Sequence, residues 1–294
     1  MTNSAPAFDA LRAACAAVAL DARGAEPIRI AENQIWRLPR GVIARIAPPD
    51  RALSAAREIS VARWLASSGI AVVKPLSVEQ PVEAAGRVVT FWEELRAHEH
   101  GTTEDVAAAL RALHALPLPD LDIGRLDPFV RISERLSAAQ TLPADDRRWL
   151  LGLYEDLLER WTAGLPAGLP ERAVHGDAWP GNVVRLAQGG WVLMDLERFS
   201  VGPPEWDLVS TAVRARTTGA VTPAEYDAFC GIYGHDVTAW AGYSILSGVR
   251  ELRMVTYAAQ HAASNSRWRA EAQHRVDCLR GRCGPRPWRW TGIL

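Results

Sequence analysis

Three polar residues in one short part of the chain have the types and spacing that phosphoryl transfer requires. Asp177 lies in the segment HGDAWPGN, which ends at Asn182, and Asp195 follows the apolar run WVLM. Phosphoryl transfer needs a carboxylate that accepts the proton of the acceptor hydroxyl, and Mg²⁺ that neutralises the nucleotide phosphates. Asp177 is the candidate base. The amide oxygen of Asn182 and the carboxylate of Asp195 are the kind of oxygen ligand that Mg²⁺ prefers.

The segments around these residues predict that the two metal ligands meet. NVVRLA and WVLMDL are short β-rich runs, and turn residues Gln188, Gly189 and Gly190 lie between them. A hairpin places the start of its first strand beside the end of its second, so the oxygens of Asn182 and Asp195 can reach one ion. The spacing therefore predicts a metal–nucleotide clamp beside a base.

Two lobes are predicted from the change in periodicity along the chain. Residues 1–95 contain four β-rich runs, IRIAENQIWRL, GVIARIAPP, AVVKPLSV and GRVVTFWEEL, and one helical run that ends at Gly69. They predict a small mixed sheet with one helix. From Arg96 onward helical periodicity dominates, and only the two hairpin strands interrupt it. We expect an α+β fold with a nucleotide-binding lobe at 1–95 and a catalytic and substrate-binding lobe at 96–294.

Composition indicates an ordinary globular protein. The 294 residues include 33 basic and 34 acidic side chains, and 48% of the residues are hydrophobic. Balanced charge argues against a general polyanion binder, so we expect no nucleic-acid partner. The chain has no run of about 18 apolar residues, and Arg12 interrupts the Ala-rich N-terminal segment before a signal-peptide core can form. A soluble cytoplasmic protein without a membrane partner is predicted, with its oligomeric state left open.

The four cysteines are scattered, which fits buried or free thiols rather than a disulfide framework. Cys278 and Cys283 lie near His274 in the sequence, but a fourth ligand is missing and the spacing is irregular for zinc. We therefore expect no metal site at these three residues.

The pattern His-Gly-Asp-x-x-x-x-Asn, followed by an Asp at a strand end, resembles the aminoglycoside phosphotransferase family, the small-molecule branch of the protein-kinase-like fold. The resemblance covers most of the chain, because ALRALHAL, HGDAWPGN, VLMDLE and PPEWDLV occur in the family's order. It implies a bilobal kinase-like fold, ATP or GTP as the phosphate donor and Mg²⁺ as the cofactor. It also implies that His175 and Asp207 support the catalytic base.

Two departures from protein kinases indicate a small-molecule acceptor. Gly176 stands where a protein kinase has the arginine that would contact a phosphorylated activation loop. Only nine residues separate Asp195 from Glu205, whereas an activation segment that positions a peptide is about twice as long or more.

The chain contains a single lysine, Lys74, which lies after the predicted helix and directly before Pro75. It is therefore poorly placed to be the strand lysine that holds nucleotide phosphates in kinase-like folds. Arg45 in VIARIA occupies the matching strand position and Glu58 in AAREIS the matching helix position. An arginine keeps the charge and binds carboxylate or phosphate through its planar fork. The alternative is that Arg45 faces solvent and the anchoring role is lost.

Other nucleotide contacts have weaker signals. The segment AENQ, Ala31 to Gln34, contains no glycine and resembles the family's phosphate loop only in length and in Asn33. By resemblance, the base of the nucleotide should meet backbone groups near Glu93, Glu94 and Leu95. Backbone contacts leave no side-chain pattern, so ATP and GTP stay equally open.

The acceptor site is expected around Asp177, Trp206 and the helices after Trp240, including Arg253. Nine arginines lie in the C-terminal segment against only three acidic residues, and they are Arg250, Arg253, Arg267, Arg269, Arg275, Arg280, Arg282, Arg286 and Arg289. A polycationic aminoglycoside would prefer carboxylates, so this excess favours a neutral or anionic acceptor. A glycosylated or nucleoside antibiotic is the first hypothesis, with resistance as the role. Alternatively, these arginines form a solvated helix face.

Two other functions are consistent with the sequence. The first is a metabolic kinase for an amino sugar, a choline-like alcohol or homoserine. The second is a scaffold without catalysis that binds nucleotide, or binds nucleic acid through its basic C-terminus. The presence of Asp177, Asn182 and Asp195 together argues against a scaffold, and no nucleic-acid-binding motif is found.

Overall fold

The computed structural model describes residues 4–30, 33–95 and 97–292. The helices are α1 (Ser4–Ala17), α2 (Ala52–Ser67), α3 (Thr103–His114), α4 (Ile132–Ala138), α5 (Ala144–Thr162), α6 (Glu205–Val213), α7 (Pro223–Tyr233), α8 (Tyr243–Ser264) and α9 (Arg269–Leu279). The strands are β1 (Glu26–Arg29), β2 (Gln34–Leu38), β3 (Val42–Ala47), β4 (Val82–Ala84), β5 (Arg87–Glu93), β6 (His98–His100), β7 (Arg172–Val174), β8 (Val183–Leu186), β9 (Trp191–Leu193) and β10 (Ser200–Gly202).

The N-terminal lobe is built on a five-stranded sheet in the order β1-β2-β3-β5-β4. Each pair in this sheet is antiparallel, so the expectation of a mixed sheet was wrong. The alternation in β3 sorts its side chains: Ala44 and Ile46 are buried against the apolar face of α1, whereas Arg45 points to the other face, where α2 lies. The sheet therefore separates a structural face from the face that carries charge.

Helix α1 is a second helix in this lobe, where the sequence had predicted only one. It buries Ala7, Leu11 and Ala14 against Trp36 and Phe91 of the sheet. Most of its buried residues are alanines, which allow close packing against the sheet.

The segment AVVKPLSV is not the strand that was predicted. It makes isolated bridges only, between Val72 and Leu193 and between Pro75 and Trp92. Proline has no N–H to donate to a ladder. The segment instead connects the two lobes, because the Val73 N–H donates to the Leu193 carbonyl of β9 at 3.0 Å.

The helical C-terminal lobe carries the predicted hairpin, β8 and β9, which pair with Val183 opposite Leu193. Gly189 and Gly190 both adopt positive φ in its turn, as such a turn requires. Strand β6 extends the hairpin, and β7 pairs with β10. Around them α8 packs against α4, α5, α6 and α9. The predicted division into a small β-rich lobe and a large helical lobe is confirmed.

The predicted lobe boundary between residues 95 and 96 stays a prediction, since Arg96 lies outside the described residues. Within the described ranges, no helix has the length and apolar character needed to cross a membrane.

Candidate active site

A buried carboxylate shapes the loop that carries the candidate base. Asp207 of α6 is fully buried and accepts the backbone N–H groups of His175 at 2.7 Å and Gly176 at 2.8 Å. His114 Nε2 lies 3.2 Å from the same carboxylate. Burial alone would raise the pKa of Asp207, but the hydrogen bonds from His114 and from the His175 backbone lower it below its usual value. The carboxylate therefore stays ionised and fixes the turn before Asp177.

His175 connects this turn to the hairpin. Its Nε2 lies 2.8 Å from the Met194 carbonyl, and the Asp177 N–H donates to its Nδ1 at 3.3 Å. The ring therefore carries its proton on Nε2 and accepts at Nδ1. Because Met194 immediately precedes Asp195, one buried imidazole positions the candidate base and a candidate metal ligand together.

Gly176 is required by the backbone. Its φ is +82°, and an added Cβ would lie 2.4 Å from the carbonyl oxygen of Arg198. Any other L-residue would combine left-handed strain with a clash against main chain. The sequence had interpreted this glycine only as the loss of a kinase arginine, and the structure adds a steric reason for it.

Asp177 is accessible on one side and faces a cation on the other. Its side chain is 44% exposed, and Arg250 Nη1 lies 3.7 Å from its Oδ1. Arg250 is buried, donates from Nη2 to the carbonyls of Gly176 and Trp206 at 3.1 Å each, and stacks 3.9 Å above the Trp206 ring. A fixed positive charge therefore borders an open carboxylate, a suitable place for an acceptor hydroxyl.

Asn182 and Asp195 lie at the same end of the hairpin. Asn182 Nδ2 donates to the Asp177 carbonyl at 2.9 Å, and the Met194 N–H donates to the Asn182 carbonyl at 2.8 Å. With its amide nitrogen engaged, Asn182 can offer Oδ1 to a cation. Asp195 is exposed and adopts a left-handed conformation, φ 53° and ψ 69°, a strained state typical of functional sites. A carboxylate and an amide oxygen fit the preferences of Mg²⁺.

Arg45 and Glu58 form an ion pair at the cleft between the lobes. Arg45 Nη1 lies 2.7 and 2.8 Å from the two carboxylate oxygens of Glu58, and its Nη2 donates to Glu197 Oε2 at 3.1 Å. Its side chain is only 21% exposed, so the alternative of a solvent-facing Arg45 does not hold. Burial raises the pKa of Glu58 to about 7, against the opposing charge of Arg45 and with the added repulsion of Asp195 and Glu197.

The other predicted nucleotide contacts lie in two places, at this cleft and in a second cavity that Glu93, Glu94 and Leu95 line. Asn33 lines the cleft with Arg45 and Glu58, whereas Ala31 and Glu32 of the predicted phosphate loop lie outside the described residues. The N–H groups of Glu93 and Glu94 already donate to the carbonyls of Lys74 and Gly41, each at 2.8 Å. A nucleotide base near this segment would therefore use the Leu95 N–H and the backbone carbonyls.

The two predicted acceptor residues other than Asp177 lie in different surroundings: Trp206 is buried beneath the loop of Asp177, and Arg253 lines a cavity. Trp206 is fully buried, and its indole N–H donates to the Gly176 carbonyl at 3.2 Å, so it supports the base loop. Arg253 lines a cavity beside Gly176 together with Arg57 and Arg198. Burial, with the charges of nearby arginines, lowers the pKa of Arg253 to about 9.

The inference from nine C-terminal arginines needs correction. Asp146 binds both Arg280 and Arg282, Glu271 binds Arg275, and Glu251 binds Arg286. These arginines neutralise acidic side chains from α5, α8 and α9. Composition counts such residues as an excess, but their charge is balanced locally. Among the nine, Arg250 and Arg253 are the two that lie against the Trp206 ring, beside the loop that carries Asp177.

Three residues that contact the site had not been assigned a role from the sequence: His114, Glu197 and Arg250. His114 lies within the helical run ALRALHAL and Glu197 ends VLMDLE, so both lie in motifs that the resemblance included. Nothing in the spacing distinguished Arg250 from the other C-terminal arginines, because its position depends on how α8 packs on α6.

Residues 25–246 match the model of the phosphotransferase enzyme family. No curated protein sequence matches the chain. Among solved structures, an amicoumacin kinase, hAmiN, in complex with AMP-PNP, Ca²⁺ and Ami has a TM-score of 0.63 at 16% identity, over 86% of this chain and 89% of that one.

Two further structures are similar. The aminoglycoside phosphotransferase APH(3'')-Id of Streptomyces rimosus has a TM-score of 0.58 at 18% identity, over 85% of this chain and 99% of that one. The choline kinase LicA of Streptococcus pneumoniae has a TM-score of 0.61 at 17% identity, over 92% and 96%. At such identities the likeness to solved structures shows the fold alone.

The first prediction concerns Gly176. We expect Gly176→Ala to lower the free energy of unfolding by about 2–5 kcal/mol, because left-handed strain adds to a clash with main chain. Urea denaturation measures this loss. Gly189→Ala is the matched control, since Gly189 also has positive φ but open space around it, and about 1–2 kcal/mol is expected there. Equal losses in the two variants would contradict the steric argument.

The second prediction concerns Arg45 and pH. Removing the Arg45 cation should raise the pKa of Glu58 in the folded state further above its value in the unfolded chain. The free energy of unfolding of the variant should therefore fall as pH rises through this raised pKa, where the folded protein must give up the Glu58 proton. We expect Arg45→Ala to be destabilised relative to wild type more at about pH 8 than at about pH 6, measured by urea denaturation. Adding Glu58→Gln should remove the difference between the two pH values. A destabilisation independent of pH in the single variant would show that the pair is not coupled.

Proposed function

Because this chain belongs to the phosphotransferase enzyme family, and is therefore a phosphotransferase that acts on a hydroxyl group of a small molecule, we propose that its donor is ATP or GTP and that its acceptor is a neutral or anionic antibiotic. The observation that supports the assignment of the site is the placement of three residues at one end of the hairpin. Asn182 Nδ2 donates to the Asp177 carbonyl, Asp195 follows Met194, whose N–H donates to the Asn182 carbonyl, and the charge of Asp195 acts on the Arg45–Glu58 pair across the cleft.

Asp177 accepts the proton of the acceptor hydroxyl in this proposal. Its carboxylate is exposed enough to meet an acceptor, and the loop beneath it is held by Asp207 and His175. A base that is fixed before substrate arrives needs no reorganisation during the reaction. The positive charge of Arg250, 3.7 Å from Asp177, is placed to stabilise negative charge that develops on the transferring phosphoryl group.

Asn182 Oδ1 and the Asp195 carboxylate would hold Mg²⁺. When bound, the ion neutralises the nucleotide phosphates and orients them for transfer. The hydrogen bonds of Asn182 and the buried His175 restrict where these two oxygens can lie.

Arg45 would contact the phosphates from the N-terminal lobe. Glu58 holds Nη1 of Arg45, while Nη2 of Arg45 donates to Glu197 of the other lobe. A nucleotide phosphate can replace the Glu197 carboxylate at Nη2, because both groups present anionic oxygens that a guanidinium binds well.

The acceptor class follows from the charge around Arg253. In the described part of the chain, four arginines and two carboxylates line the cavity beside Gly176: Arg57, Arg125, Arg198, Arg253, Asp127 and Glu197. Positive charge is therefore in excess there, and burial of Arg253 adds to the preference for an anionic or neutral partner over a polycation. A glycosylated or nucleoside antibiotic without a large positive charge fits this cavity, with resistance as the cellular role.

A metabolic kinase is the second candidate. Among a choline-like alcohol, an amino sugar and homoserine, the same arginines favour homoserine, because its carboxylate can pair with a guanidinium. The quaternary ammonium of choline would meet like charge in that cavity.

A donor and acceptor screen tests the proposal. ATP or GTP is supplied with panels of hydroxylated antibiotics, sugars and hydroxy amino acids, and products are identified by the mass of one added phosphate. Asp177→Asn is expected to reduce turnover by about a hundredfold or more, since the amide has no proton affinity, while nucleotide binding is retained. Near-normal turnover in this variant would remove Asp177 from the role of base.

Metal dependence provides a separate prediction. In wild type, Mg²⁺ should strengthen nucleotide binding in equilibrium titrations, and Asp195→Ala should abolish that strengthening. Asn182→Ala should weaken it less, because its oxygen is neutral. The same nucleotide affinity with and without Mg²⁺ in wild type would contradict the clamp.

A further inference from the structure

Three soft metal-ligating side chains meet at the end of α9, away from the residues assigned above. His274 and Cys278 are four residues apart on this helix and therefore share a face. After the helix, Gly281 adopts a φ of +75°, and the chain turns back to bring Cys283 to the same face. One ligand atom from each of the three residues lies within 4.8 Å of the other two.

The separations are close to those of a tetrahedral site. His274 Nδ1 lies 3.9 Å from Cys278 Sγ and 3.8 Å from Cys283 Sγ. Zinc binds thiolate sulfur at about 2.3 Å and imidazole nitrogen at about 2.0–2.1 Å, so tetrahedral angles place the two ligand atoms about 3.6 Å apart. Cys278 Sγ also lies 3.7 Å from His274 Nε2, so binding requires a rotation of the imidazole as well as shifts of a few tenths of an ångström.

The surroundings orient the histidine for this role. His274 Nε2 lies 3.4 Å from the Trp288 carbonyl, which is the position of an acceptor for an Nε2 proton. A proton there leaves the Nδ1 lone pair free to bind a metal, the arrangement found where a metal-binding histidine donates its other N–H to a backbone carbonyl.

A hydrogen-bond donor, the indole N–H of Trp290, is buried in the same part of the chain as the Cys278 thiol. Cys278 is 1% exposed, and the indole Nε1 of Trp290 is buried without a hydrogen-bond partner among the described residues. Zinc would displace the thiol proton when it binds, and an adjacent N–H could then stabilise the thiolate.

We propose that His274, Cys278 and Cys283 form a zinc site that fastens the C-terminal segment to α9. Sulfur and imidazole ligands favour Zn²⁺ over the hard ions that the carboxylate site prefers. The described residues supply three ligands, which leaves the fourth position to water. The sequence alone had argued against this site, because the spacing does not show that the turn at Gly281 brings Cys283 back.

The fastened segment reaches the helical core. The Trp288 N–H donates to the Thr217 carbonyl at 2.7 Å, and Arg286 pairs with Glu251 of α8 at 2.9 Å. Zinc at Cys283 would therefore restrain a segment that packs on the residues following α6. Its removal is expected to lower stability without changing the oxygen ligands of the carboxylate site.

Metal titration of the full-length, reduced protein tests the site. We expect one Zn²⁺ bound per chain in competition with a chromophoric chelator, and Co²⁺ should give thiolate-to-metal charge transfer with the visible bands of a tetrahedral ion. Cys283→Ser and His274→Ala should each weaken Zn²⁺ binding by at least about tenfold. Cys283 is half-buried, so its serine variant is a safer choice than a change at the buried Cys278.

Two control variants separate this site from other thiols and from the carboxylates. Cys230→Ser on α7 and Asp195→Asn should both retain the cobalt spectrum and the zinc stoichiometry. A melting temperature that falls on chelation in wild type, but not in folded Cys283→Ser, would support the fastening role. Absence of sulfur charge transfer, unchanged zinc affinity in both ligand variants, or a Cys278–Cys283 disulfide in protein alkylated at lysis would each overturn the proposal.

Discussion

The buried carboxylate of Asp207 holds two consecutive backbone N–H groups and one imidazole, and the geometry of the site depends on this arrangement. Accepting from both His175 and Gly176 requires the chain to turn sharply, and the left-handed φ at Gly176 is the result. His114 supplies the third donor, so a charged group with no solvent contact is satisfied entirely by protein. Asp177 directly follows this turn, so its position is determined by Asp207, a residue of helix α6.

Much of the fold could be predicted because its signals are long or chemically specific. The hairpin has β-rich runs and a glycine turn, and the pairing of Arg45 with Glu58 was expected because their positions match the strand lysine and helix glutamate of kinase-like folds. Strands β6, β7 and β10 have three residues each, too few for a period of two to be detected. The bridging role of residues 71–76 could not be predicted, because it depends on contacts with strands from both lobes.

The site was less predictable where packing decides the outcome. A sum of charges suggested an arginine-rich acceptor surface, but Asp146 alone takes up Arg280 and Arg282, which lie far from it in sequence. Arg250 contributes beside Asp177 only because α8 crosses α6 at Trp206. Composition gives the balance of charge over a segment, whereas function depends on which charges face one cavity.

An arginine at position 45 also determines which reagents can react covalently in the nucleotide cleft. Burial alone would lower the pKa of Arg45, but the carboxylates of Glu58, Asp195 and Glu197 raise it. The guanidinium therefore offers no neutral amine to acyl-phosphate or sulfonyl-fluoride analogues of ATP. The single lysine, Lys74, does not line the cavity that contains Arg45 and Glu58, but it lines the cavity that contains Glu93, Glu94 and Leu95. Lysine-directed affinity labels would therefore leave the Arg45 end unmodified, and inhibitors aimed at that end must bind reversibly or react with a different side chain.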